Sequence, residues 1–457
     1  MLFWKVQSKS MALFTKKTLF IFLFSLIVLK GLAQNSDSAK KNWTNHFQLT
    51  FIAQKHPGFA SKYSGDNSLA DSVEPAAKSI TTTLFLGRKL WKGGVFYFNP
   101  EVSGGNGLSF TKGVAGALNG ETYRVGAVAP SVFIARAFLQ QNFALANTSY
   151  EEVKDEANQM AGTIPSSRIS ISVGKFAVSD FFDDNKYSKD PRTQFFNWSL
   201  WANGAWDYPA NTRGYTFGLV AELIKPGWSV RLSSVAVPRI ANFNLMEYNA
   251  KAHSETVEFE HKISINKKPG AIRFIVSNTN SQAPSYAEGM KALATNNRFL
   301  LDVIQGNAEH KNYGGKKLGI GLNIEQEITN EVGLFSRIGW NDGKYVTWAF
   351  TEIDHTANLG LLIKGKKWRP NDFFGIATVI NGISNEHINF LKAGGYGFLI
   401  GDGKLNYGNE IIIESFYNAK LSNFFSLTFD YQFVNNPGYN KDRGPVHVFG
   451  LRGHVEL

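Results

Sequence analysis

Apolar residues in this chain fall on every second position over many short stretches. From Phe425 to Phe433 the odd positions are Phe425, Leu427, Phe429, Tyr431 and Phe433, while the even ones are Ser426, Thr428, Asp430 and Gln432. Towards residue 457, Phe449, Leu451, Val455 and Leu457 stand against Arg452, His454 and Glu456. Near the start, Phe47, Leu49, Phe51 and Ala53 alternate with His46, Gln48, Thr50 and Gln54. Arg168 precedes a run in which Ile169, Ile171 and Val173 face away from Ser170 and Ser172, and the stretches at 216–223, 228–233, 257–265, 272–277, 334–338, 358–364 and 410–414 behave alike. Successive side chains of a strand point to opposite faces, so this period predicts strands with one apolar and one polar face.

Two architectures satisfy that pattern. A secreted sandwich or propeller buries the apolar face, whereas an outer-membrane barrel turns it to lipid and lines its lumen with the polar face. The polar faces here carry many full charges, and Tyr and Trp recur near strand ends as interfacial girdles do. The N-terminus adds Lys16 and Lys17 before the apolar run Thr18 to Leu29, then small residues at Gly31 and Ala33, which is a signal-peptide layout. That run is too short to span a bilayer, which takes about 20 residues. The expected organisation is a leader at 1–33, cleaved after Ala33, and one all-β domain at 34–457: a transmembrane antiparallel β-barrel in the bacterial outer membrane. Strands of about ten residues give about 16 of them, with 18 also fitting the length, and leave ample chain for long loops. A barrel of that size is expected to enclose an aqueous channel. The Gly-rich stretches 104–120 and 394–403 read as loops, and 281–295 as a loop holding a short helix.

Composition removes most other functions. The chain of 457 residues has no cysteine, which excludes disulfides, thiol nucleophiles and cysteine-based metal sites. Five of the 48 basic residues belong to the leader, so 43 basic against 37 acidic residues remain, a charge of +6 that gives no nucleic-acid footprint. The nine histidines show no metal-ligand spacing, and no phosphate-binding glycine motif or nucleophile elbow occurs. The cluster at Asp180–Asn185 lacks the glycine and distal glutamate of a calcium loop. No enzymatic activity, cofactor or metal is expected.

Longer blocks carry a resemblance. FQLTFIAQKHPGFASKYSGDNSL at 47–69, LWKGGVFYFNPEVSGGNGLS at 90–109 and APSVFIARAFLQQNFAL at 129–145 are followed by GKFAVSDFFDDNKYSKDPRTQFFNWSLWANGAWDYPANTRGYTFG at 174–218. Later come GWNDG at 339–343, KWRPNDFFGIA at 367–377, GGYGFLIGDG at 394–403 and NPGYN at 436–440. In this order they resemble the carbohydrate-selective porins of the OprB type. The resemblance implies a 16-stranded outer-membrane barrel for sugar diffusion, with long extracellular loops folded into the pore. Leu457 departs from it, since such barrels usually end on an aromatic residue.

The expected lumen faces carry Arg168, Arg231, Lys262, Arg273, Arg337, Lys364 and Arg452 against Glu222, Glu258, Glu260, Glu410, Glu414, Asp430 and Glu456. Seven bases against seven acids leave little net field, whereas a ring of one sign would select ions. Sugars suit such a lining, because hydroxyls need donors and acceptors and the ring face needs aromatic cover. A general diffusion porin fits the same residues equally; the resemblance favours the sugar. For the constriction the candidates are Glu101, Arg136, Asp180, Asp183, Asn185, Tyr187, Asp190 and Arg192, with bracing of the loop against the wall as the competing role for Asp183, Asn185 and Arg192. The expected partners are sugars as solutes and outer-membrane lipid, with no nucleic acid, for a monomer or homotrimer.

Overall fold

The computed structural model describes residues 42–122, 128–366 and 369–457. The expected leader at 1–33 and its expected cleavage point lie outside the described residues.

Sixteen strands form the wall. The first eight are β1 (Trp43–Lys55), β2 (Ala77–Trp91), β3 (Gly94–Gly105), β4 (Ser131–Ala144), β5 (Arg168–Phe176), β6 (Thr216–Lys225), β7 (Trp228–Pro238) and β8 (His253–Ile265). The rest are β9 (Lys268–Ser281), β10 (Gly315–Glu327), β11 (Val332–Asn341), β12 (His355–Lys364), β13 (Phe373–Gly382), β14 (Glu410–Lys420), β15 (Phe425–Asn435) and β16 (Val446–Glu456). Each pairs antiparallel with its neighbours in sequence, and β1 closes on β16 from Gln48↔Glu456 to Lys55↔Phe449. Closure leaves no edge of unpaired amides, which lipid could not satisfy. The expectation of a barrel with 16 strands, not 18, therefore holds.

The two ends differ. Connections 56–76, 106–130, 177–215, 239–252, 282–314, 342–354, 383–409 and 436–445 emerge on one side. The opposite side has the short turns 92–93, 226–227, 266–267, 328–331, 365–372 and 421–424, plus one longer connection at 145–167. Within 282–314 stand two helices, Tyr286–Thr295 and Arg298–Ile304; Ser285 caps the first by accepting from the Glu288 amide. That is more helix than the sequence pattern suggested.

Alternation sorts the faces as expected. Phe429 is 57% exposed on the outside while Asp430 is 6% exposed on the inside. Phe51, Phe217, Phe259, Phe274, Leu359 and Phe449 join the outer apolar belt. Trp43, Trp91 and Phe424 stand exposed at the short-turn end, and Trp340 towards the other.

The interior departs from a wide aqueous lumen, because the loops fill most of it. Phe195, brought in by the 177–215 loop, packs edge-on against the inward rings of Phe335 at 5.4 Å and Phe416 at 4.9 Å. Leu118, Trp198, Phe350, Phe398 and Ile400 are likewise buried inside the barrel. Buried loop amides need acceptors, and the wall supplies them as carboxylates. Glu414 accepts from the Phe196 and Asn197 amides at 2.6 and 2.9 Å. Glu410 accepts from Ala115, Gly116 and Gly438 at 2.8–2.9 Å. Loop carboxylates tie loop to loop in the same way: Asp207 accepts from the amides of Trp348, Ala349 and Phe350 at 2.8–3.1 Å, and Glu352 from Ile400 at 2.8 Å. In the reverse sense, Arg452 donates to the Pro191 and Gln194 carbonyls at 2.8 and 2.9 Å.

Candidate functional site

The 177–215 loop crosses the barrel and is held by its acidic residues. The three carboxylates of Asp180–Asp184 go separate ways. Asp180 grips Arg136 with a fork of 2.6 and 2.7 Å. Asp183, at φ +55, turns to the far wall. Its carboxylate accepts from Arg337 Nε at 3.0 Å, Asn323 Nδ2 at 2.6 Å and the Asn203 amide at 2.8 Å, while its own amide donates to Glu258 at 2.7 Å. Asp184 meets Lys189 at 2.7 Å, and that ammonium holds its carboxyl below the usual carboxylate range. Asn185 donates to Asn323 at 2.8 Å, and Tyr187 lies flat on the wall at Gly333, where any Cβ would stand 2.0 Å from the ring. Asn203 likewise rests on Gly321 and Gly339, with 2.1 and 2.0 Å to an added Cβ.

Above this brace lies a cavity of about 610 Å³, in the size range of small-molecule sites. One side is a continuous polar chain. Arg192 donates to Glu121 at 2.8 Å, Glu101 at 3.1 Å, and Gln48 and Thr83 at 2.9 Å each. Tyr215 donates to Glu101 at 3.2 Å and lies 5.3 Å beneath the Arg136 guanidinium, which leads on to Asp180. Arg213 stacks 3.9 Å over Phe133 and donates to Ser131 at 2.9 Å. The other side is aromatic: Phe182, Trp198, Trp201, Trp206, Tyr208 and Phe350. Arg213 Nη1 and the indole N–H groups of Trp201 and Trp206 are buried there with no hydrogen-bond partner among the described residues.

Of the candidate residues, Glu101, Arg136, Asp180, Asp183, Asp190 and Arg192 line the cavity, whereas Asn185 and Tyr187 are buried against the wall. Asp190 accepts from the Arg192 amide at 2.9 Å. Five of the fourteen lumen-facing charges pair with one another across the sheet. Arg231 reaches its register partners Glu222 at 3.1 Å and Glu258 at 2.9 Å, and Glu260 joins Arg273 at 2.7 Å. Arg273 continues to Glu325 at 3.3 Å. Arg337, Glu414 and Arg452 hold loops, Asp430 accepts from Gln432 at 3.1 Å, and Arg168 sits at the short-turn end on Glu151 at 3.3 Å. Lys262, Lys364 and Glu456 are exposed at that same end. Most of the others hold loops or stand exposed at the short-turn end, and none of the fourteen lines the cavity. Glu121, Arg213, Tyr215 and the aromatic wall were not among the sequence candidates. Trp206 and Arg213 stood inside the 174–218 block, but isolated loop aromatics give no periodic signal.

Glu121 and Glu101 share one guanidinium. Burial pushes the Glu121 carboxyl up to about 7, against the pull of Arg192 and with the repulsion of Glu101. Its ordinary value is 4.5, so the folded state keeps this proton longer than the unfolded chain. Stability from this group thus falls as pH rises from 4.5 towards 7 and is level above. Taking the pH down through about 7 neutralises Glu121 and makes the cavity more positive. The reversal potential in a salt gradient should then move towards anions, and Glu121→Gln should remove that step; an unchanged step in the variant would assign it elsewhere.

A closed antiparallel barrel with an apolar exterior and a loop-lined cavity inside defines a channel of the porin class. The chain belongs to the carbohydrate-selective porin, OprB family, whose model matches residues 82–457. Among solved structures it is similar to the high-pH structure of Pseudomonas putida OprB, at 16% identity and TM-score 0.65 over 91% of this chain and 94% of that one. The low-pH structure of that protein aligns at 12% identity and TM-score 0.49 over 91% and 93% of the two chains. No curated protein sequence matches the chain. Membership makes it an outer-membrane porin, in a family of channels rather than enzymes.

Proposed function

We propose that the chain lets neutral mono- or oligosaccharides diffuse passively and saturably through the cavity beside Arg192, entering from the long-loop side and leaving to the periplasm. Outer-membrane barrels generally keep their long loops outside and short turns inside. Residues 1–33 act as the export leader, removed after Ala33. The observation that carries the sugar reading is the pairing of an aromatic wall with a facing chain of donors and acceptors, Arg136, Glu101, Arg192 and Glu121, across one cavity. Sugar hydroxyls need both donors and acceptors, which that chain supplies. The rings offer the flat apolar surface that a sugar face needs. Arg192 has donors engaged on four acceptors, so it holds Glu101 and Glu121 in place as much as it meets solute.

Glucose and maltose titrated against single reconstituted channels should reduce the ionic current saturably, and a charged dipeptide should not. Trp201→Ala removes one ring of the aromatic wall and should weaken the block by up to about tenfold, the worth of one ring contact. Strong ion selectivity with no block by any sugar would leave a general diffusion porin instead.

A further inference from the structure

The connection 145–167 breaks the rule of its side, where the other turns are short. Its arms Tyr150–Val153 and Gly162–Pro165 pair as a small exposed hairpin. Past the arms the chain bends back into the barrel. Glu156 and Gln159 exchange main-chain hydrogen bonds of 3.0 and 2.9 Å around Ala157 and Asn158, and Asn158 takes φ +58. This tip is fastened to inward-facing residues of two strands. Asp155 accepts from Thr44 and, at 3.1 Å, from His46 Nε2, both on β1. On β3, Asn99 donates to Asn158 at 2.9 Å, and the Tyr97 hydroxyl meets the Met160 main chain. Glu156 and Ala157 are part of the lining of the cavity that Glu101, Arg136 and Arg192 also line. The cavity is thus bounded from both mouths of the barrel, by the 177–215 loop and by this tip.

We propose that residues 154–160 form a second selectivity element, an acidic collar set in the lumen from the short-turn mouth. The charge argument turns on Glu156. The cavity carboxylates Glu101, Glu121, Asp180 and Asp183 each lie within 3.1 Å of an arginine, and Asp190 and Arg213, which have no ion pair among the described residues, offset one another in the same lining. Asp155 is engaged by Thr44 and His46. Glu156 has only the Gln159 amide at 3.4 Å and no ion pair among the described residues. An uncancelled charge in a narrow passage with low-dielectric walls biases which ions traverse it. The collar therefore favours cations over anions and leaves neutral solutes unaffected by charge, while the tip's bulk limits the width of the passage.

The full-length protein in planar bilayers tests this. In a potassium chloride gradient the cation-to-anion permeability ratio should fall in Glu156→Gln and fall further in Glu156→Lys. Replacing Asp155–Gln159 by a Gly-Ser turn should raise single-channel conductance. Permeability ratio and conductance are read without sugar and test the collar, whereas block of the wild-type channel by glucose tests the carbohydrate reading on which the cavity's role rests. A permeability ratio equal to wild type in both Glu156 variants overturns the collar, and those variants decide the matter even if the shortened turn fails to fold.

Discussion

Arg337→Met should loosen the loop that crosses the barrel and cost about 3–5 kcal/mol, the usual penalty for removing one partner of a buried ion pair. Arg337 is completely buried, and it binds Asp183 through Nε, the Asp183 and Ser188 carbonyls through Nη2 at 3.2 and 2.7 Å, and the Leu200 carbonyl through Nη1 at 3.1 Å. Methionine fills much of the volume but leaves three carbonyls and a carboxylate short of donors. Asn323 and the Asn203 amide still serve Asp183, which places the effect towards the lower figure. Arg337→Lys should fall between, since an ammonium keeps the charge but lacks the planar fork. The readouts are the temperature at which the heat-modifiable gel band is lost and the open-channel current, which should become larger or noisier. A variant with wild-type values for both would show that the loop is held elsewhere.

Phe429→Arg should block barrel assembly, at a cost of about 2–4 kcal/mol near the bilayer midplane. Phe429 is 57% exposed on the outer face, where lipid gives a guanidinium no partner. Its neighbour Asp430 faces inward, and Asp430→Asn should assemble normally. Inward does not mean roomy, however. Asp430 lies beneath Gly450, and a Cβ there would already stand 3.1 Å from the Asp430 carboxylate and 3.0 Å from Phe196. Arginine at 430 would therefore meet the packed loop and not open water. Equal yields of folded barrel from Phe429→Arg and Asp430→Asn would reject the register of β15.

The wall was legible because its signal is local. Each strand repeats the same choice between lipid and lumen, so Phe429 and Asp430 reveal their faces without knowledge of any partner. The signal weakens where both faces are apolar, as in Ile411–Ile413. There Ile412 points inward and is fully buried, and an added Cβ at Gly116 of the 106–130 loop would come within 2.6 Å of it. The site was only half legible. Acidic and basic residues in the 174–218 block announced a structured loop, but that Asp180 takes Arg136, 44 residues back, and Asp183 takes Arg337, 154 residues on, depends on contacts between distant strands. The seven-against-seven balance of charge was visible as a number. The direct pairing of Glu222 with Arg231 and of Glu260 with Arg273 needed the register.

Carboxylates that accept loop amides also set how the interior moves. Loop backbone in most proteins opens readily and exchanges its amide hydrogens fast. Here the amides of Ala115, Gly116, Phe196, Asn197, Trp348 and Ile400 end on buried carboxylates inside a closed wall. They should exchange on the slow timescale of the strands, so that discrimination between solutes arises from a fixed shape and not from closure around each molecule.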